Sequence, residues 1–187
     1  MEEDDDIHVH CVRRIENRKV FERFKVYEAE VAETLSQGVF ERTPCAHGWL
    51  EKLAVKNGLS EVANCTYLLH GTVQENLKNI CDEGLIVSPF WNTYGSGLYF
   101  TTQSCKAFQY TGGHGYILIC RVVLGRVQVL ETSCAARISP DQGFESAMAD
   151  KDRTKRRPGV LQVHDEYIVY NEAAVYPEFV LEVCKEA

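Results

Sequence analysis

Two titratable groups in this chain stand where apolar surroundings make them costly. In "YLLHGT", Tyr67 to Thr72, a run of strand character ends on His70 and Gly71. A strand end fixes a side chain while the loop beyond gives access, so polar groups there often carry function. Alone, the hexapeptide favours the plainer reading, a satisfied core histidine followed by a turn glycine. In "EYIVY", alternation puts Glu166, Ile168 and Tyr170 on one strand face and Tyr167 with Val169 on the other. A carboxylate on an otherwise apolar strand is costly unless it is paired or used. Used, it stabilises positive charge or orients a nucleophile; the plain alternative is a surface glutamate on an edge strand.

Other motifs are set aside on physical grounds. "YGSGLYF" contains G-x-G, but a strand follows it, and a dinucleotide fingerprint needs a helix N-terminus to receive the pyrophosphate. "GGHG", Gly112 to Gly115, fails for the same reason. The eight cysteines include no C-x-x-C pair, so zinc-ribbon and zinc-finger readings lack their main signal. "HVHC", His8 to Cys11, could clip a metal, but strand alternation alone puts its two histidines on one face. No metal is expected, and the cysteines are taken as reduced thiols, mostly buried. The basic run "KDRTKRR", Lys151 to Arg157, reads as a solvated loop.

The elements that must position these groups follow from periodicity. "IHVHCVRRI" alternates as a strand. Asn17 is placed to cap a helix running to about Leu35, with Val20, Phe21, Phe24, Tyr27, Val31 and Leu35 facing the core. "SQGVFERTP" breaks it. A short helix is expected over Trp49 to Lys56, stopped by Asn57 and Gly58. "CTYLLHGT" is a strand. "VQENLKNICDEGL" is a helix with Val73, Leu77, Ile80 and Cys81 as its apolar stripe and Gly84 as its stop. After a loop from Ser88 to Gly97 comes the strand "LYF". Thr102 can then cap a helix containing Ala107, Phe108 and Tyr110. "GYILICRVVLG" is a buried strand. A long irregular segment is expected from about Glu131 to Gln162, followed by two strands, "EYIVY" and "FVLEV". Helices come early and strands late, so the class is α+β and not a doubly wound sheet.

Composition fits one globular domain: 187 residues, 45% hydrophobic and 25% charged. The net charge of −7 argues against attraction to nucleic acid or anionic membranes. No apolar run is long enough to span a bilayer. "MEEDDD" is the opposite of a secretory or mitochondrial leader. An intracellular protein, cytoplasmic or nuclear, is expected.

Four pieces occur in order: "LLHGT", "GSGLYFTTQSCKAFQY", "ILICRVVLG" and "DEYIVYNEAAVYPEFVLEV". Together they resemble the catalytic domain of the poly(ADP-ribose) polymerase (PARP) family, among the diphtheria-toxin-like ADP-ribosyltransferases. "VRRIENRKVFERFKVYEAE" looks like the opening strand and helix of the mono-ADP-ribosylating branch. The resemblance implies a mixed, mainly antiparallel split β-sheet core with flanking helices. It implies an acidic tail over 1–6 and a single catalytic domain over 7–187, with no helical regulatory domain. The family's histidine-tyrosine-glutamate triad carries over onto His70, Tyr99 and Glu166. His70 would bind the adenosine ribose of NAD, Gly71 the nicotinamide carboxamide through its backbone, and Tyr99 would line the nicotinamide ribose pocket. Tyr110 would stack on the nicotinamide ring, and Thr72 and Ala107 would complete the pocket. The family usually has serine where this chain has Ala107, so one hydrogen bond, about 1 kcal/mol net, is missing. Glu166 would stabilise the oxocarbenium-like cation formed as nicotinamide leaves. The implied activity is transfer of ADP-ribose from NAD to a protein acceptor, as single units or short oligomers. The rival is a non-catalytic NAD or ADP-ribose reader, or an interaction domain, on the same fold. Neither nucleic acid nor membrane is expected as a partner.

Overall fold

The structure is a computed structural model and describes residues 7–38, 48–87, 92–155 and 164–185. The acidic tail 1–6, Cys45, and parts of the Ser88 to Gly97 loop, of "SQGVFERTP" and of the basic run lie outside the described residues.

The chain opens with strand β1, Ile7–Arg14, and helix α1, Arg18–Ser36. Asn17 caps α1 as expected, its Oδ1 accepting from the Val20 N–H at 3.1 Å. Val20, Phe24, Val31 and Leu35 are buried on the inner face of α1, and Phe21 and Tyr27 pack beside them. Helix α2, Trp49–Lys56, ends at Asn57 as its sequence predicts. Strand β2, Cys65–Thr72, is nearly all buried and leads into helix α3, Gln74–Glu83, whose following Gly84 has φ +86°. Strand β3, Leu98–Phe100, precedes the short helix α4, Ser104–Phe108. Strand β4, His114–Val123, is the long buried strand. Then come β5, Val127–Val129, β6, Ser146–Ala149, β7, Glu166–Val169, a 3-10 turn over Glu172–Ala174, and β8, Val175–Lys185.

The strands form two four-stranded sheets, β1-β8-β4-β2 and β3-β7-β6-β5. Every pairing is antiparallel except β5 with β6. The sheets meet where Leu69 and Thr101 exchange both backbone hydrogen bonds, at 2.9 and 3.0 Å. This is the split, mainly antiparallel core expected of the chain. The main apolar core lies between α1, α2 and the first sheet. A smaller one gathers Tyr94, Leu130, Ala147, Ala149 and Ile168 against the second sheet.

Three expectations are corrected. The segment from Glu131 to Gln162 is not wholly irregular, because β6 lies within it. "SAMA" has no β-branched residue to signal a strand, yet all four positions are buried between β5 and β7. Thr102 does not cap α4: Gln103 holds the cap position, and Thr101 Oγ1 accepts the Gln103 N–H at 3.2 Å. The same helix stops at Phe108, so Tyr110 stands in the turn beyond it. Finally, only Cys65 and Cys120 are buried among the seven described cysteines; Cys105 and Cys134 are exposed.

Candidate functional site

A cavity of about 580 Å³ opens at the junction of the two sheets, between the ends of β2 and β3, α3 and α4. His70, Gly71, Thr72, Tyr99, Ala107, Tyr110 and Glu166 all line it. Residues spread over almost a hundred positions are thus brought together by the pairing of β2, β3 and β7.

His70 sits near the end of β2, with Nδ1 2.9 Å from the Tyr99 carbonyl oxygen. A carbonyl only accepts, so Nδ1 carries a proton and Nε2 is the acceptor in the neutral ring. Burial pulls the His70 pKa below 6.5, against the hydrogen bond to Tyr99. The side chain is therefore a neutral imidazole with a fixed tautomer at neutral pH.

Gly71 is demanded by packing. A Cβ there would stand 1.8 Å from the Ala107 carbonyl oxygen. The α4 backbone therefore rests directly on β2, and only glycine allows it. Leu69 spends its N–H and C=O on Thr101, and Gly71, two residues on, turns its own pair to the same side. There β3 has ended and the cavity begins. Thr72 is buried, its Oγ1 accepting from Asn76 Nδ2 at 3.4 Å.

The Tyr99 hydroxyl is occupied. It donates to the Gly95 carbonyl at 2.8 Å and accepts from the Tyr94 N–H at 3.0 Å. Burial holds its pKa above the usual phenol range, so it stays protonated and braces the cavity wall with its ring exposed to the lumen. Gly95 has φ +103°, and a Cβ on it would meet the Arg137 carbonyl at 2.1 Å. The Tyr170 hydroxyl donates to the Tyr94 carbonyl at 2.8 Å and holds the same loop. Tyr110 is half exposed at the cavity rim.

Glu166 opens β7 and is not a solvated edge glutamate. Its carboxylate is 12% exposed and lies 3.0 Å from Lys106 Nζ, itself 19% exposed. Lys106 also lies over the Tyr110 ring, 5.3 Å from its centroid. Burial acts to lower the Lys106 pKa, but the hydrogen bond and charge of Glu166 outweigh it and the pKa is raised. Sequence reasoning passed over Lys106. Its only signal was its place next to Ala107 on the helix between Tyr99 and Tyr110. Asn76, Asn79 and Ile80 of α3, with Asn92 and Thr93, complete the far wall and were likewise not foreseen.

Among the described residues no group of three or more histidine, cysteine or acidic side chains is placed to hold a metal ion. No helix of the described residues is long and apolar enough to cross a membrane. The cavity is a slot with a backbone donor and acceptor at one end, aromatic walls, and a carboxylate–ammonium pair.

Residues 3–185 match the family model of the poly(ADP-ribose) polymerase catalytic domain. A "Poly [ADP-ribose] polymerase tankyrase" of Caenorhabditis elegans is 35% identical over 78 aligned positions, covering 37% of this chain and 3% of that protein. "Poly [ADP-ribose] polymerase 1" of the same organism is 29% identical over 118 positions, covering 58% of this chain and 12% of that protein. "Protein mono-ADP-ribosyltransferase PARP4" of Mus musculus is 24% identical over 141 positions, covering 67% of this chain and 7% of that protein. The chain thus spans only a small part of the length of each of these relatives.

Proposed function

The chain belongs to the poly(ADP-ribose) polymerase catalytic-domain family, and we propose that it transfers ADP-ribose from NAD to a protein acceptor and releases nicotinamide. The observation that carries this reading is the convergence of His70, Gly71, Tyr99, Tyr110 and Glu166 on one cavity. The nicotinamide carboxamide would pair with the outward-facing N–H and C=O of Gly71, and its ring would lie between Tyr99 and Tyr110. His70, neutral and holding its proton on Nδ1, would accept a hydrogen bond from the adenosine ribose through Nε2.

In the reaction the bond between the ribose anomeric carbon and the pyridinium nitrogen breaks. Its electron pair goes to nicotinamide, which leaves neutral, and positive charge builds on the sugar. Glu166, hydrogen-bonded to the ribose 2′-hydroxyl, would stabilise that charge. Lys106, 3.0 Å from the carboxylate, would hold it in position before substrate arrives. An acceptor side chain then attacks the anomeric carbon. We favour single or short ADP-ribose units, from the likeness of the opening strand and helix to mono-transferases.

Ala107 supports a second reading, a catalytically weak NAD or ADP-ribose reader, because a serine hydroxyl is absent from the carboxamide end. Incubation with labelled NAD, followed by mass spectrometry of modified peptides, separates the two. An enzyme labels itself or a partner and releases nicotinamide. A folded chain that binds NAD and consumes none is a reader.

A further inference from the structure

The far wall of the cavity carries an amide group that the reaction scheme leaves unused. Helix α3 starts beside Thr72, where Asn76 Nδ2 donates to Oγ1 at 3.4 Å, and rises about 1.5 Å per residue away from that strand end. Asn76, Asn79 and Ile80 are spaced by three and four residues, so they share one face, and that face lines the cavity. Lys78 pairs with Asp82 on the exposed side of the helix. Leu85 and Ile86 continue the wall beyond the end of α3. Asn79 is exposed, and its side-chain amide has no partner among the described residues. Asparagine is a weaker helix former than alanine, because its amide competes for backbone bonds, so the helix itself does not call for it there. Ile86 is apolar yet 60% exposed, next to the buried Leu85.

We propose that Asn79 determines specificity for the base of NAD, pairing with the edge of the adenine while Ile86 lies against its ring. The inference rests on NAD occupying the cavity, a placement that the transferase and the reader share. With the nicotinamide carboxamide at Gly71 and the adenosine ribose at His70, the adenine is the part of NAD left for this wall. Charge agrees with that assignment. Among the described residues lining the cavity the only lysine or arginine is Lys106, and it faces Glu166. The α3 wall therefore offers amide and alkyl groups without charge. A diphosphate calls for cations, whereas a neutral heterocycle calls for a few placed polar groups in apolar surroundings. Asn79 Nδ2 donates to the purine N7, and Oδ1 accepts from the 6-amino group, the pairing asparagine makes with adenine edges in nucleic acids. No partner fixes the amide, so it is free to turn and present both atoms at once. Hypoxanthine carries an oxygen in place of the amino group. Its N7 and that oxygen both only accept, so one of the two bonds is lost and the amide oxygen meets another oxygen.

The test is calorimetry on the full chain carrying Glu166→Gln, which slows any consumption of NAD during the titration. The probes are NAD, nicotinamide hypoxanthine dinucleotide and benzamide. NAD should bind about 5–150-fold tighter than the hypoxanthine dinucleotide, the discrimination expected of one bidentate base contact. Adding Asn79→Ala should weaken NAD by at least about fivefold and bring the two dinucleotides to within about twofold of each other. Benzamide, which reaches only the nicotinamide end, should bind unchanged. Alanine is the better helix former, so the Asn79→Ala melt should not fall, and a lost base preference is then not a loss of α3. Lys78→Ala, on the exposed side of the same helix, should leave all three affinities as they were. Equal affinity for the two dinucleotides before Asn79 is changed overturns the proposal, as does a preference for NAD that survives Asn79→Ala. Weakened benzamide binding in Asn79→Ala also overturns it, because the residue would then shape the whole cavity and not read the base. In each of these outcomes NAD or benzamide still binds and the reading of the cavity stands. A chain that binds neither NAD nor benzamide overturns that reading, and this proposal with it.

Discussion

Glu166 faces an ammonium group and not bulk water, and that decides how its replacement behaves. Glu166→Gln keeps the shape and a hydrogen-bonding oxygen for the ribose 2′-hydroxyl but removes the charge. NAD affinity should therefore change little. Turnover should fall about a hundred- to a thousand-fold, the usual cost of losing one aligned charge-stabilising contact. Turnover and NAD affinity measured on a folded variant decide it; near wild-type turnover removes Glu166 from the mechanism. Ala107 tests the other end of the slot. It is buried against Gly71, and a serine there adds one hydroxyl with little added bulk. Ala107→Ser should tighten a benzamide by about fivefold, the equivalent of about 1 kcal/mol. Calorimetry showing unchanged or weaker binding would mean that the residue does not face the carboxamide. At this scale the sequence was informative, because residue types in a fixed order pointed to seven positions that line one cavity. Lys106 was not legible. A lysine on a short helix reads as solvated, and only contact with β7 buries it.

The elements are held by two close fits. One is α4 resting on β2. Gly71→Ala would drive a methyl group into the Ala107 carbonyl, so α4 must lift. A cost of about 1–3 kcal/mol is expected, with loss of benzamide binding. Gly38→Ala has open space around the added carbon and serves as the control in thermal melts. If both variants melt alike, the contact is not a constraint. The other fit is Asn17. Besides capping α1, its Nδ2 donates to the Cys81 and Asp82 carbonyls at the end of α3, both at 2.8 Å. One side chain thus joins the start of α1 to the end of the helix that walls the cavity. Asn17→Ala should cost at least about 1 kcal/mol, where a cap alone would leave α3 unaffected; hydrogen exchange should show α3 fraying at Ile80 to Glu83. The cap was legible from an asparagine ahead of a helical apolar period. The bridge to α3 was not, since nothing local encodes a contact across 64 residues. The pairing of β5 with β6 escaped for a related reason: both strands are short, and their parallel register leaves no hairpin turn to find.

For the whole molecule, one buried carboxylate ties the first sheet together. Glu178 of β8 is 1% exposed and takes both Arg121 nitrogens of β4, at 2.6 and 2.9 Å. It also takes Arg14 of β1 at 3.0 Å and the Tyr67 hydroxyl of β2. All four strands thus meet at one side chain. Burial alone would raise its pKa, but the hydrogen bonds from Arg121 and Tyr67 outweigh it and hold the pKa below 4.5. A carboxylate whose folded pKa is depressed stabilises the fold above its unfolded value. That stability is lost as pH falls through the folded value. His70 acts in a higher window. Its folded pKa lies below 6.5, so the unfolded chain takes up a proton first, and stability drops as pH falls below that value. The melting temperature should therefore decline in two stages on acidification, the first below about pH 6.5 and the second below about pH 4.5. His70→Asn should flatten the first stage. Glu178→Gln should flatten the second and also lower stability at neutral pH by about 3–5 kcal/mol, because Arg121 is left without its counter-charge in a buried place. Melts from pH 8 to about pH 2 on the three proteins check this. If Glu178→Gln kept wild-type stability at neutral pH, the four-strand junction would be an ion pair of no consequence, and the first sheet would rest on its apolar face alone.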